Sequence, residues 1–492
     1  MTARALMLQG TGSDVGKSVL VSALCRVAKR RGIRVAPFKP QNMSNNAHAC
    51  TGGGEIGRAQ AVQAQAAGIE PSVDLNPVLL KPETDRAAQV IVQGEVYARR
   101  EAAAYMNSRQ TLLPYVLDSF ERLIQTFDLV IVEGAGSPAE INLRERDIAN
   151  MGFAQAAGVP VSLIGDIDRG GVIAALVGTQ RVMAPEDAAY IRSFLVNKFR
   201  GDPRLFDEGV AAIEEMTGWP CLGVIPWLAS PSRLPAEDAV VLDQPQKASR
   251  GVLKIVAPMF PRMANFDDVD PLTLDPAVQF EFIKPGQPIP QDADAVLLLG
   301  TKSTIADLDF LRSQGWHHDL YAHVRRGGHV TGICGGYQML GTHIHDPKQV
   351  DGLATHAEGL GLLEVVTQMA DSKRVQPVQA TCTQTGVPLD AYEIHMGTTS
   401  GPDSYRPMFT LDKSPDGARS ESGRIQGSYL HGLFSNDSYR AHWLSQIGGA
   451  AVLTQPYQLA VEAAFDELAD ALSTHCDVDA LLAAAQPIGW RP

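Results

Sequence analysis

No apolar run in this sequence approaches the ~18 residues that a membrane-crossing helix needs. Basic charge is not in excess either: 42 Lys and Arg stand against 55 Asp and Glu, a net charge of −13. A phosphate backbone demands a basic face, so nucleic acid is excluded as a partner. There is no C-x-x-C pair, and six cysteines scattered over 492 residues suit a reducing cytoplasm rather than a disulfide scaffold. The start, MTARALMLQG, is too short and too quickly interrupted for a signal peptide. Low-complexity tracts are absent. What remains is the composition of a cytoplasmic α/β protein, 45% hydrophobic and 20% charged, long enough for about two to four domains.

What is present begins with GTGSDVGKS, Gly10 to Ser18. It follows a short apolar run, Ala5 to Leu8, and opens a helical pattern, Val19, Val21, Leu24 and Val27, that stops at Gly32. Strand, glycine-rich turn and helix form the context of a phosphate-binding loop. Backbone N–H groups from Thr11, Gly12, Ser13, Asp14, Val15 and Gly16 would face an anion, Lys17 would reach the outer phosphates, and the Ser18 hydroxyl would hold Mg²⁺. The spacing departs from the standard pattern: Gly10 lies one residue early, with Thr11 where the first glycine belongs.

A second strand, Ile33 to Phe38, runs into KPQNMSNNA, where open parallel sheets place ligands, although Asn and Ser are also plain turn formers. Helical patterns follow at Gly57 to Ala67 and from about Ala102 to Thr126. The strand Leu129 to Val132 ends in Glu133 with Gly134 and Gly136 beyond it, a carboxylate placed to bind Mg²⁺ beside a phosphate loop. Val159 to Ile164, Phe194 to Val196 and Cys221 to Ile225 continue the rhythm. The second of these leads to Asn197-Lys198, a base-reading pair in several nucleotide-binding proteins but weak by itself. Strands alternating with helices predict a doubly wound parallel sheet over 1–230.

Residues 231–250 have linker composition, and a new βα series occupies 251–447. In it, Ala295 to Leu299 ends at Gly300, and Gly328 to Ile333 runs into GICGGYQMLG. Cys334 sits between strand and helix with Gly332, Gly335 and Gly336 around it, the setting of a nucleophile elbow. N–H groups of Gly335 and the Gly300 loop would form the oxyanion hole. Cys25, Cys50, Cys221, Cys382 and Cys476 lack this setting and read as structural. His431, at a strand end beside Gly432, is the candidate base, with His395 second. His343 and His345 alternate as metal ligands do, but the sequence supplies no third ligand in register. Residues 448–492 read as a helical segment.

These motifs, in this order and over nearly the whole length, resemble the cobyric acid synthase family. GTGSDVGKS, FKPQNMSNNA, VEGAGSPAEINLR, DIDRGG and VNKFRGD look like its N-terminal signatures, and GTKSTIADL, GICGGYQMLG, YEIHMGTT and YLHGLF like its amidotransferase signatures. The resemblance implies a fold of two doubly wound, mostly parallel α/β domains: a dethiobiotin-synthetase-like phosphate-loop domain and a class I glutamine amidotransferase domain. It implies ATP and Mg²⁺, with glutamine and a corrinoid as substrates and Cys334 and His431 as nucleophile and base. The family reaction amidates the b, d, e and g carboxylates of adenosylcobyrinic acid a,c-diamide, and chemistry then asks that ammonia travel shielded from water to the activated acid. Class I amidotransferases carry a Glu two residues past the catalytic His, whereas this chain has Leu433. What orients His431 is left open by the sequence, with a backbone carbonyl and Glu393 as candidates.

Three other readings compete. One is amidation of another acid, the a,c-diamide-forming step or a cell-wall precursor; FKPQNMSNNA and the Gly10 loop argue against it. A second is a regulatory partitioning-type ATPase, which would carry a lysine where Thr11 stands and would not need Cys334 in an elbow. The third, a glutaminase module serving a separate synthetase, would leave the first half idle.

Overall fold

The computed structural model describes residues 3–83, 87–101, 109–235, 251–352, 354–412, 414–448 and 456–487. The chain forms two compact units. One comprises Met1–Ser44, Glu55–Pro235 and Val461–Pro492, the other Asn45–Gly54 and Ala236–Ala460. Contiguous spans of 1–230 and 251–447 therefore do not describe the division: 45–54 joins the second unit, and most of the C-terminal segment joins the first. Of the expected linker, 236–250 lies outside the described residues.

In the first unit six parallel strands are hydrogen-bonded in the order Cys221–Pro226, Ile191–Phe199, Val161–Asp166, Arg4–Gly10, Leu129–Glu133 and Val35–Phe38. The runs Arg4–Gly10, Leu129–Glu133 and Val161–Asp166 at the centre of that order are buried on both faces, as a doubly wound sheet requires. The helix Lys17–Arg30 buries Leu20, Val21, Leu24 and Val27, one apolar stripe at helical spacing. The C-terminal helix Tyr457–His475 brings Leu468, Ala469 and Leu472 to the same core. Arg26, nearly buried on Lys17–Arg30, meets Glu462 at 2.9 Å and Asp466 at 2.6 Å on that helix. That apolar stripe and those acids explain why this segment belongs to the phosphate-loop unit.

A small four-stranded sheet, Gln41–Met43, Val78–Pro82, Ala87–Val92 and Glu95–Glu101, is an addition that the polar KPQNMSNNA stretch conceals. Its hairpin turns on Gln93 and Gly94, both at positive φ (47° and 85°), the geometry that matches strand twist. The helix read from about Ala102 begins outside the described residues; Leu113–Thr126 is its described part.

The second unit holds a sheet in the order Val278–Ile283, Leu253–Pro258, Ala295–Leu298, His329–Ile333, Ile425–Ser428, all parallel, with Ala418–Arg419 antiparallel at one edge. Beside it runs an antiparallel ribbon, Val366–Cys382 with Pro388–Ser400, to which Leu430–His431 pairs. No helix among the described residues is long and apolar enough to cross a membrane.

Candidate functional site

The phosphate loop lies where Arg4–Gly10 ends, with Glu133 on the adjacent strand, paired with Leu8. The early glycine has a physical reason. A Cβ on Gly10 would sit 2.5 Å from Val15 Cγ2 and 3.0 Å from Lys17 Nζ, so the loop closes on its own lysine only if residue 10 lacks a side chain. Lys17 is buried and donates to the carbonyls of Gly12 (2.8 Å) and Gly136 (3.1 Å). Thr11 N–H donates to Ile164 O at 2.9 Å, anchoring the loop, while Ser13 and Asp14 are exposed.

Ser18 Oγ donates to Glu133 Oε1 at 2.8 Å, and Lys39 Nζ lies 2.8 Å from the same oxygen. Gln63 Nε2 donates to Glu133 Oε2. Glu133 is thus a buried carboxylate with a hydroxyl, an ammonium and an amide around it. Two hard oxygen donors converge there with a cation already against one of them, a donor set that suits Mg²⁺. Asn197 donates from its amide to Val15 O at 2.8 Å, so it holds the loop's shape from beneath. Its neighbour Lys198 pairs with Asp166 at 2.8 Å.

In the second unit, Cys334 follows His329–Ile333 and precedes the short helix Gly335–Leu340. Its backbone stands at φ 53°, ψ −111°, a conformation that costs energy for any residue with a side chain, and the residue is 8% exposed at the strand-to-helix turn. Its N–H donates to Ser428 O at 2.8 Å, and the thiol lies 3.4 Å from Ile394 O. A Cβ placed on Gly300 would lie 3.2 Å from His431 Cε1 and 3.7 Å from Cys334 Cβ. Gly300 therefore lines the space that both side chains reach. A Cβ on Gly335 would lie 3.1 Å from the backbone N of Thr301, which brings that loop against the start of the helix. Thr301 Oγ1 donates to Asp307, which also accepts Arg262 N–H at 3.2 Å. Burial pushes the Asp307 carboxyl up to about 7.

His431 is 2% exposed, with Nδ1 2.7 Å from Asp268 Oδ2. The other oxygen of Asp268 accepts Gly432 N–H at 2.7 Å, so one carboxylate fixes both the ring and the peptide after it. Burial by itself disfavours the imidazolium. The charge of Asp268 and its hydrogen bond, together with a hydrogen bond to Cys334, outweigh burial and raise His431 from 6.5 to about 10. Tyr392 stacks on the ring at 5.3 Å and 18°.

The group that orients His431 is Asp268, neither a backbone carbonyl nor Glu393. Glu393 instead binds Arg374 at 2.8 Å and Gln376 at 2.9 Å. Asp268 lies 163 residues from its histidine in the turn Phe266–Val269, and no local pattern announces it. Nor does any motif mark Lys39 or Gln63 as partners of Glu133, although Lys39 opens the KPQNMSNNA stretch. His395 stacks on Tyr429 at 3.9 Å, with Nδ1 3.2 Å from Gly397 O.

Strand pairing puts His356 opposite His345 and Glu358 opposite His343, so register does supply further candidate ligands. Even so, no group of three metal-binding side chains converges among the described residues. None of the six cysteines is in a disulfide. Burial lifts Cys221 to about 11 and Cys476 to about 12, and lifts Cys25 strongly as well.

Thiol, histidine and carboxylate beside a glycine turn suit acyl transfer through a thioester, and the phosphate loop suits a nucleotide. In agreement, residues 254–439 match the family described as CobB/CobQ-like glutamine amidotransferase domain, and 6–241 match the CobQ/CobB/MinD/ParA nucleotide binding domain. The chain is 61% identical over 491 residues to the cobyric acid synthase of Hyphomonas neptunium, covering 100% of this chain and 99% of that protein. It is 59% identical over 482 residues to the cobyric acid synthase of Paracoccus denitrificans, covering 98% and 100%. The chain belongs to the cobyric acid synthase family, glutamine-hydrolysing ligases of cobalamin biosynthesis.

Proposed function

We propose that this chain converts adenosylcobyrinic acid a,c-diamide to adenosylcobyric acid by amidating its b, d, e and g carboxylates, using one ATP and one glutamine for each. The observation that carries this reading is the Cys334, His431 and Asp268 arrangement beside Gly300 in a chain that also holds a phosphate loop.

At the first step the Cys334 thiolate attacks the amide carbon of glutamine. The oxyanion that develops is met by N–H groups of Gly335 and the Gly300 loop. His431, its Nδ1–H held on Asp268, carries on Nε2 the proton taken from the Cys334 thiol and gives it to the departing ammonia. The thioester left on Cys334 is cleaved by water, whose proton returns to His431, and glutamate leaves.

Hydroxide is a poor leaving group, so the acceptor carboxylate is first phosphorylated. Its oxygen takes the γ-phosphoryl of ATP, ADP departs, and ammonia then displaces phosphate. Gly12 to Ser18 cradle the phosphates with their backbone while Thr11 N–H stays on Ile164 O, Lys17 trades the carbonyls of Gly12 and Gly136 for phosphate oxygens, and Asn197 keeps the loop in shape. Ser18 and Glu133 would hold Mg²⁺, which offsets charge on the phosphates when bound. The test is turnover of the a,c-diamide with ATP and glutamine, counting added amides by mass spectrometry. Four amides are expected; glutaminase without any amide gain overturns the assignment.

A further inference from the structure

The segment Asn45–Gly54 comes from the sequence of the phosphate-loop half, yet it clusters with the amidotransferase unit. It leaves after KPQNMS and returns at Glu55, turning through Gly52, Gly53 and Gly54, all at positive φ (92°, 95° and 80°). Cys50 N–H donates to Gly54 O at 2.9 Å and Gly53 N–H to Cys50 O at 3.0 Å, which closes the turn. Its roots are pinned together: the Asn76 amide donates to Lys39 O and accepts Gly57 N–H, each at 3.0 Å.

The tongue's contacts run to the catalytic histidine. His48 meets the Tyr392 ring edge-on at 4.7 Å and 64°, and Tyr392 in turn stacks on His431. Ala47 O accepts Asn265 Nδ2 at 2.6 Å, and the same amide donates to Tyr392 Oη at 2.9 Å. Asn265 is 2% exposed and held at φ 53°, a conformation that needs support, immediately before the turn that carries Asp268. Both neighbours that fix His431, the aromatic face and the carboxylate, are therefore tied to residues 47 and 48.

We propose that this tongue is a positioning element of the glutaminase centre, with His48 and Ala47 acting through Tyr392 and Asn265 to hold His431 in line with Cys334. This rests on the glutaminase reading of Cys334. The support of His431 and the Lys39 partner of Glu133 share one stretch of chain, which gives a reason for KPQNMSNNA to stand as a unit in the sequence.

His48→Ala and His48→Phe in the full-length enzyme test it. With His48→Ala, glutaminase kcat should fall about tenfold with glutamine KM within about twofold, since a misplaced catalytic group costs rate rather than binding. Alkylation of Cys334 by 6-diazo-5-oxo-norleucine should slow in parallel, while ammonium-dependent amidation stays unchanged and reports an intact fold. His48→Phe, which keeps an aromatic edge, should restore most of the rate. Wild-type glutaminase and alkylation rates in His48→Ala overturn the proposal, as does a loss that His48→Phe does not recover. A matching loss of ammonium-dependent synthesis also overturns it, because the tongue would then serve the phosphate loop. If wild type lacks glutaminase activity, the functional reading fails instead, and the alkylation rates still decide the positioning claim.

Discussion

The two sites are built by opposite strategies. In the phosphate loop the charged groups satisfy one another: Lys17 rests on two carbonyls, and Lys39, Ser18 and Gln63 all rest on Glu133. A nucleotide has to displace those contacts, so part of its binding energy goes into rearranging partners. At the thiol site the groups already stand as the chemistry needs them. Cys334 is held in its strained elbow, and His431 is locked to Asp268 before any substrate arrives. Removing a group from the second site should therefore cost turnover, and removing one from the first should cost binding and turnover together.

The largest effects separate the sites outright. Cys334→Ala should abolish glutamine-dependent amidation, by about 10⁴-fold or more, and leave synthesis from ammonium salts intact. Lys17→Ala should do the reverse, lowering synthesis from either nitrogen source by roughly 10²- to 10³-fold while residual glutaminase persists. If ammonium fails to rescue a folded Cys334→Ala enzyme, the two sites do not divide the labour. Asp268→Asn comes next. It keeps the shape but loses the charge that stabilises the imidazolium, and glutaminase should fall by about 10²- to 10⁴-fold with little change in glutamine KM. An equal loss in Glu393→Gln would return the orienting role to Glu393.

What the sequence made legible follows the same division. The phosphate loop, Glu133, Cys334, Gly335 and the strand ends beneath them are local: each is a short string in which strand, turn and helix signals adjoin. The parallel sheets were legible because their strands are apolar throughout, as in Leu129–Glu133 and Val161–Asp166. Asp268 was not, because its meaning lies in a partner 163 residues away. Nor was the placement of 45–54, where Asn45 and Asn46 read as a turn while Ala47 and His48 find their partners only in the fold. The ribbon Val366–Cys382 with Pro388–Ser400 interrupts the βα rhythm with a half-exposed alternation that lacks the continuous apolar run of a buried strand.

Acid–base linkage sharpens the contrast at the level of stability. His431 titrates near 6.5 unfolded and about 10 folded, because Asp268 outweighs burial. A folded pKa above the unfolded one gives stability that is full below pH 6.5 and is lost as pH rises toward 10. The Tm advantage of wild type over Asp268→Asn should accordingly be greatest at pH 6 and shrink steadily to pH 10. A pH-independent difference would mean that the pair is held by geometry alone.

The smallest expected effect probes how rigid the prepared site is. Asp307 touches no reacting atom. It accepts from Thr301 Oγ1 and Arg262 N–H, and so braces the loop that begins at Gly300. Asp307→Asn keeps one carbonyl acceptor for these donors, so glutaminase should drop only about three- to tenfold, since one bond in a braced loop is worth about 1 kcal/mol. The loss should fall on kcat, because an oxyanion exists only after attack. It should also weaken inhibition by the glutamine-like aldehyde glutamate γ-semialdehyde, whose adduct with Cys334 bears that oxyanion, more than it alters glutamine KM. Equal changes in the two would place Asp307 in ground-state binding, and the phosphate loop would then be the only one of the two sites whose groups must move.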